Sequence, residues 1–292
     1  MRGKYAKFVM LSPAILVLLA TTTYPLIYAL IISFRNWKLT KSPEPKEFVG
    51  LDNYTQAFDD SGFTNSLQVT FLFTVLSVSL SLGIGLAIAL LVQKKSLVNT
   101  ILKTLLIFPF AVSPTLKGFS WRFMLNADYG LYNKIAKTVF PPAKDIIWLN
   151  DTFWAMFGLA MSETWGWAPL IALMFVGALG SISPEITEAA RLDGANNFSL
   201  FFYITLPLLR PVILIALLLK TIFSLKMFDQ VVTMTGGGPG RSTQTFNFFI
   251  YQIGFRNLDM GYASALAIML VIFLSILAYL YVKLLLGKGA SA

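Results

Sequence analysis

The stretch "EITEAARLDGANNFSLFFYITLPLLRP", Glu185 to Pro211, interrupts a greasy chain with charged, small and turn-forming residues. Pro184 and Glu185 stand where a helix begins: proline suits a first helical turn, and an acid suits the positive end of the helix dipole. "EITEAARLDGA" then predicts a short amphipathic helix, with Glu188 and Arg191 spaced to pair on its surface. Gly194 is placed to take positive φ and turn the chain. Pro207 and Pro211 mark the return to apolar sequence. The stretch reads as a compact helix–turn–helix, exposing a small charged knob. An ordinary interfacial helix in a loop fits the same residues, and so does a rigid grip for a motor protein.

What surrounds the knob sets its context. The 292 residues are 56% hydrophobic and only 13% charged, and the mean hydropathy is +0.70. Soluble domains carry about 25% charged residues, so this chain cannot cover a water-facing surface. A bilayer core needs about 20 apolar residues in a helix. Runs at about 8–34, 67–92, 104–123, 152–183, 211–235 and 261–282 meet that need, and the segment 184–210 is the connecting loop. The expectation is an all-α integral membrane protein of six transmembrane helices, a single domain over 1–292. The first run is too long for a signal peptide and lacks a small-residue cleavage site after it, so it reads as a retained helix.

Charge and composition exclude several functions. With no Cys and no His, the chain has neither disulfides nor a Cys/His zinc site, and it lacks the usual general base near neutral pH. No metal site is expected. The formal charge is +9, but no basic stripe with interleaved aromatics appears, so nucleic acid is not a partner; anionic lipid headgroups are. Lys and Arg are almost evenly divided between the two sides. Basic residues ahead of the first helix favour both termini inside. Trp37, Tyr54, Tyr129, Tyr132 and Trp148 in the outer loops suit the membrane interface.

Ionisable residues inside apolar spans are costly and are functional candidates. Glu163 lies in "MSETWGW", with Gly166 and Trp167 on its helical face. Lys220, Phe223, Ser224 and Met227 recur at helical spacing on the fifth run. Glu163 and Lys220 either line a pathway or pair with each other. Lys117 in "SPTLKGFSW" either snorkels outward or faces a cavity. Lys226 and Asp229 read as an interfacial salt bridge. "TGGGPG", with Gly236, Gly237, Gly238 and Pro239, lacks the Lys-Ser/Thr and the preceding strand of a phosphate-binding loop, and reads as a tight outer turn.

The knob resembles the signature loop of binding-protein-dependent ABC importer permeases. That signature is Glu-Ala-Ala, three residues, Gly, nine residues, Ile, one residue, Leu-Pro. Here it is Glu188, Ala189 and Ala190, then Gly194, then Ile204, Leu206 and Pro207. "FVGLDNYTQAF", "FDQVVTMTGGGPGRSTQT" and "GFRNLDMGYASALA" resemble the carbohydrate-uptake, maltose-type branch. The resemblance implies a type I importer permease fold in a bacterial or archaeal inner membrane, with both termini cytoplasmic. It implies that the knob is a coupling helix gripped by a cytoplasmic ATPase through Glu188, Ala189, Ala190, Arg191, Asp193, Gly194 and Pro207. It places sugar contacts near Glu163, Gly166 and Trp167 and on Lys220, Phe223, Ser224 and Met227, and a binding-protein docking site at Gly236–Pro239.

The expected partners are a second homologous permease, two ATPase subunits, an extracytoplasmic solute-binding protein, lipid and a sugar. The chain itself is expected to be no enzyme and to hold no cofactor, ATP and Mg being bound by the ATPase. Lys117 and Lys220 together suit an anionic sugar or a phosphorylated polyol such as glycerol phosphate. A secondary carrier would need no docking knob, and a lipid-modifying enzyme would need a cluster of acids or His that is not there.

Overall fold

A computed structural model describes residues 2–139 and 147–289, without the side chains of 2–9, 136–137 and 284–289. Part of the second outer loop (140–146) and of the C-terminal inside segment (290–292) therefore lies outside the described residues.

The described residues are mostly helical. α1 (Arg2–Leu18), a π-helical turn (Leu19–Thr23) and α2 (Tyr24–Ser33) form the first apolar stretch. A short α3 (Asp52–Asp59) precedes α4 (Ser61–Val92), which is 32 residues long. At 1.5 Å per residue that exceeds the roughly 30 Å of a bilayer core. α5 (Leu97–Leu105), α6 (Ile107–Ala111), α7 (Pro114–Met124) and α8 (Leu131–Val139) are short. α9 (Thr152–Gly180) is long and two-thirds buried over its most apolar window. α10 (Pro184–Leu192) and α11 (Asn197–Leu200) flank the knob's turn. A π-helical turn (Phe201–Thr205) leads into α12 (Leu206–Leu225). α13 (Phe246–Tyr251) and α14 (Met260–Gly289) end the chain.

Among the described residues five helical stretches are long and apolar enough to cross a membrane, and a sixth if one bent pair counts as a span. That pair corrects the third run. Instead of one helix over 104–123, Leu97–Ala111 and Pro114–Met124 meet at 96°. The cause is local. Proline disfavours the helical region for the residue just before it; Ser113 (ψ 143°) is extended, and so is Val112 (ψ 129°). Ser113 Oγ then caps a new helix by accepting from Leu116 N, with Pro114 at its first position.

The fifth run also moves. The helix starts at Asn197 and stops at Leu225 rather than spanning 211–235. Pro207 and Pro211 therefore lie inside it. Pro207 has no N–H to give and its ring crowds the carbonyl one turn back; the widened turn at Phe201–Thr205, closed by Leu206 N to Phe201 O, sits where that strain falls. The connecting loop shrinks from 184–210 to 184–196.

Two compact units emerge from the chain's contacts. Met1–Thr64 with Phe249–Ser275 is tied by polar links. Asn53 Nδ2 donates to Ser33 O (2.8 Å) and Arg35 O (3.0 Å), Lys38 pairs with Asp259 (2.9 Å), and Tyr262 OH donates to Asp60 (3.1 Å). Gly261 is required there, because a Cβ would strike Arg35 O.

Asn65–Phe248 with Ile276–Ala292 holds the larger core. Ala89, Trp167, Ile171, Ala172, Phe175 and Ala216 pack together where α4, α9 and α12 meet. Small residues let the backbones approach, which is how helices associate when lipid gives no hydrophobic drive between them. Gly85 shows it: a Cβ there would run into Ile171 and the Ala168 carbonyl.

Candidate functional site

A cavity of about 390 Å³ opens within the larger unit, lined by α6, α7, α9, the end of α12 and the segment after it. Its wall has an aromatic side. Trp167 lies 4.8 Å from Phe223 and 5.6 Å, edge-on, from Phe110, by ring centroids. The other side is polar, with Lys117, Glu163, Lys226, Asp229 and Gln230.

Glu163 organises the polar side. Lys220 Nζ donates to its Oε1 at 3.0 Å, and Gln230 Nε2 donates to its Oε2 at 2.9 Å. Ser162 Oγ donates to Gln230 Oε1, so the amide is held at both ends. Lys117 Nζ stands 3.9 Å from Glu163 Oε2. Lys220 is fully buried, and its amine lies 5.3 Å from the centre of the Trp167 ring, within cation–π range. Gly166 is part of this arrangement, because a Cβ there would collide with the Lys117 amine.

The structure therefore brings Glu163, Gly166, Trp167, Lys117 and Lys220 together. Phe223 and Met227 line the cavity, although Met227 lies past the end of α12 rather than on its helical stripe. Ser224 is buried, its hydroxyl has no hydrogen-bond partner among the described residues, and it is not among the lining residues. Lys226 and Asp229 do not form the expected salt bridge; helix α12 stops between Ser224 and Lys226, so their helical spacing is lost, and both face the cavity. Sequence reasoning missed Gln230. Its signal was weak, a lone amide next to an apolar run.

The knob is a second, separate feature. Ser183 Oγ accepts from Glu185 N and caps α10. At the other end Ala195 N bonds Ala190 O (2.9 Å) and Gly194 N bonds Arg191 O (3.1 Å), with Gly194 at φ +85°. This is a Schellman turn, which glycine closes at least cost. Asn196 Oδ1 at once caps the next helix by accepting from Ser199 N. Glu188, Ala189, Arg191, Asp193 and Gly194 are exposed, and Ala190 is half-buried. Glu188 and Arg191 make no ion pair among the described residues, which leaves both charges available to another surface. Leu192 is 90% exposed at the tip, a residue the motif reading did not single out. Pro207 lies in the membrane helix, not in the knob.

Gly236–Pro239 forms a turn. Gly236 and Gly237 have φ of +60° and +88° and the Gly238–Pro239 bond is cis. Thr243 Oγ1 clamps it, lying 2.7 Å from Gly238 O and 2.8 Å from Thr235 Oγ1, with its single hydrogen serving one of the two at a time. Gly236 and the neighbouring Gly240 and Arg241 are exposed.

Comparison with known proteins fits this architecture. The chain is 35% identical over 89% of its length to the sulfoquinovosyl glycerol transport system permease protein of Agrobacterium fabrum, covering 84% of that protein. It is 34% identical over 94% of its length to the trehalose/maltose transport system permease protein of Thermococcus litoralis, covering 92% of it. In fold it superposes with TM-score 0.80 at 19% identity on a chain of a bacterial ABC transporter that imports the acidic polysaccharide alginate, covering 96% of this chain and 95% of that one. The model of the family described as "binding-protein-dependent transport system inner membrane component" matches residues 79–288. The chain, a multi-pass membrane protein with the fold of an ABC importer permease, belongs to that family.

Proposed function

We propose that the chain is the permease subunit of an ATP-driven importer that carries a sugar or oligosaccharide into the cytoplasm of a bacterium or archaeon. A second, related permease completes the pore, two ATPase subunits grip the α10 knob, and a solute-binding protein delivers substrate at the opposite face near Gly236–Pro239. Both termini then lie in the cytoplasm. ATP and Mg belong to the ATPase, and this chain transmits force without doing chemistry.

The observation that carries the reading is the knob. It is capped at both ends, has no buried residue, and presents an exposed Leu192 beside unpaired charges. A rigid, partner-less protrusion between two membrane helices suits docking, because little ordering is left to be done on binding. Sugar as cargo is supported by the relatives' sugar transport names and by the cavity, where aromatic faces suit sugar rings and polar groups suit hydroxyls.

Transport then follows from rocking of the two half-transporters when the ATPases close. The test is purification of the tagged chain from its own cells. An ATPase should co-purify, and uptake should follow ATP rather than an ion gradient. Uptake driven by a proton or sodium gradient with no ATPase bound would contradict the reading.

A further inference from the structure

Two ammonium groups approach Glu163, and only one is fully engaged. Lys220 is fully buried, hydrogen-bonded to Glu163 at 3.0 Å and set against Trp167. It is not part of the cavity wall. Lys117 is part of the wall, only 5% exposed, and its amine makes no hydrogen bond among the described residues; its sole ionic neighbour is Glu163 at 3.9 Å.

The charges do not balance. Lys117, Lys220 and Lys226 face Glu163 and Asp229, which leaves one positive charge in excess. A buried ammonium lacking hydrogen bonds is costly, most of all at membrane depth. The site nevertheless makes room for it, since Gly166 leaves the space that the Lys117 amine occupies.

We propose that Lys117 is the substrate-contacting cation, that the transported sugar carries an anionic group (carboxylate or phosphate) that docks on it, and that Lys220 is a positioning residue. This rests on the sugar-import reading. The substrate's anion supplies the hydrogen-bond acceptor Lys117 lacks, while its ring lies along Trp167 and Phe223. Lys220 keeps Glu163 in place, so the carboxylate is held off the incoming anion and stays turned toward Lys220 and Gln230.

The test uses the complete assembly with its native partners, in proteoliposomes loaded with ATP. Three probes are offered: a glucuronate-containing disaccharide, a sugar phosphate and maltose. The expected result is uptake of an acidic probe in preference to maltose, and the preferred one identifies the anion. Lys117→Met should cut that uptake about tenfold or more, the scale of one hydrogen bond to a charged group. Lys117→Arg should restore most of it, with the melting temperature of both variants near wild type. Lys220→Met should instead lower the melting temperature and depress every probe alike. Preference for maltose, unaltered by Lys117→Met, overturns the inference and leaves sugar import standing. Uptake of none of the three, by an assembly that hydrolyses ATP, counts against sugar import and the inference together.

Discussion

Lys220 Nζ sits 3.0 Å from Glu163 Oε1 with no exposure to solvent, joining α12 to α9 through an ion pair at membrane depth. The pair is not symmetric. Glu163 has a second cation at 3.9 Å, Lys117, whereas Lys220 has no other acid within ion-pair distance among the described residues.

That asymmetry sets the first prediction. Glu163→Gln leaves two buried ammonium groups without a counter-charge, and should cost about 3–5 kcal/mol. Lys220→Met leaves Glu163 beside Lys117 and Gln230, and should cost about 1.5–3 kcal/mol, one hydrogen bond to a charged group. Denaturant unfolding in detergent measures both. Equal losses would mean that Lys117 does not share the carboxylate.

Two buried glycines packed against Lys117 and Gln230 should separate stability from transport. An added Cβ at Gly166 meets the flexible end of Lys117, whereas one at Gly118 meets the β-branched Thr233 and the Gln230 backbone. Gly166→Ala should change stability by less than about 1 kcal/mol, since alanine also favours the helix by about that much, yet impair uptake by displacing the amine. Gly118→Ala should destabilise by about 1–3 kcal/mol through overpacking. Thermal unfolding and uptake, measured on both, check the contrast.

At the knob, side-chain loss should leave the fold alone. Glu188→Ala and Leu192→Asp alter exposed residues, so stability should stay within about 0.5 kcal/mol of wild type, while ATPase co-purification falls away. Gly194→Ala is different. At φ +85° it should cost about 1–2 kcal/mol by forcing a side chain into the left-handed region. Retention of the ATPase by Leu192→Asp would show that the tip does not dock.

The chain has no native cysteine, which makes topology directly readable. A Glu188→Cys variant should react with a membrane-impermeant maleimide in inside-out vesicles only. Labelling of intact cells at that position would place the knob on the wrong side.

Much of this was legible in the residues. Clean apolar runs gave the long helices, and "EAARLDG" gave the knob, because proline, acid and glycine act through local backbone geometry. Glu163 and Lys220 stood out because charge is rare in such runs. The third span was misread even though the signal was present: Ser113-Pro114 is a helix start, and the apolar count masked it. The end of α12 was lost for the same reason, since Lys226–Phe228 breaks the helix only briefly before helical backbone resumes over Asp229–Thr235. The approach of Lys117 to Glu163 and the part played by Gln230 depend on where α7 and the segment after α12 pack, and spacing along one chain does not encode that.

The central claim is that force from a separate ATPase enters through the knob. The most direct measurement is the initial rate of sugar uptake into proteoliposomes, with the ATPase subunits present, omitted, or present with Glu188→Ala/Leu192→Asp. Uptake should occur only with the ATPase and ATP, and should collapse in the double variant while its melting temperature holds. Undiminished uptake without the ATPase, or in the double variant, would contradict the account.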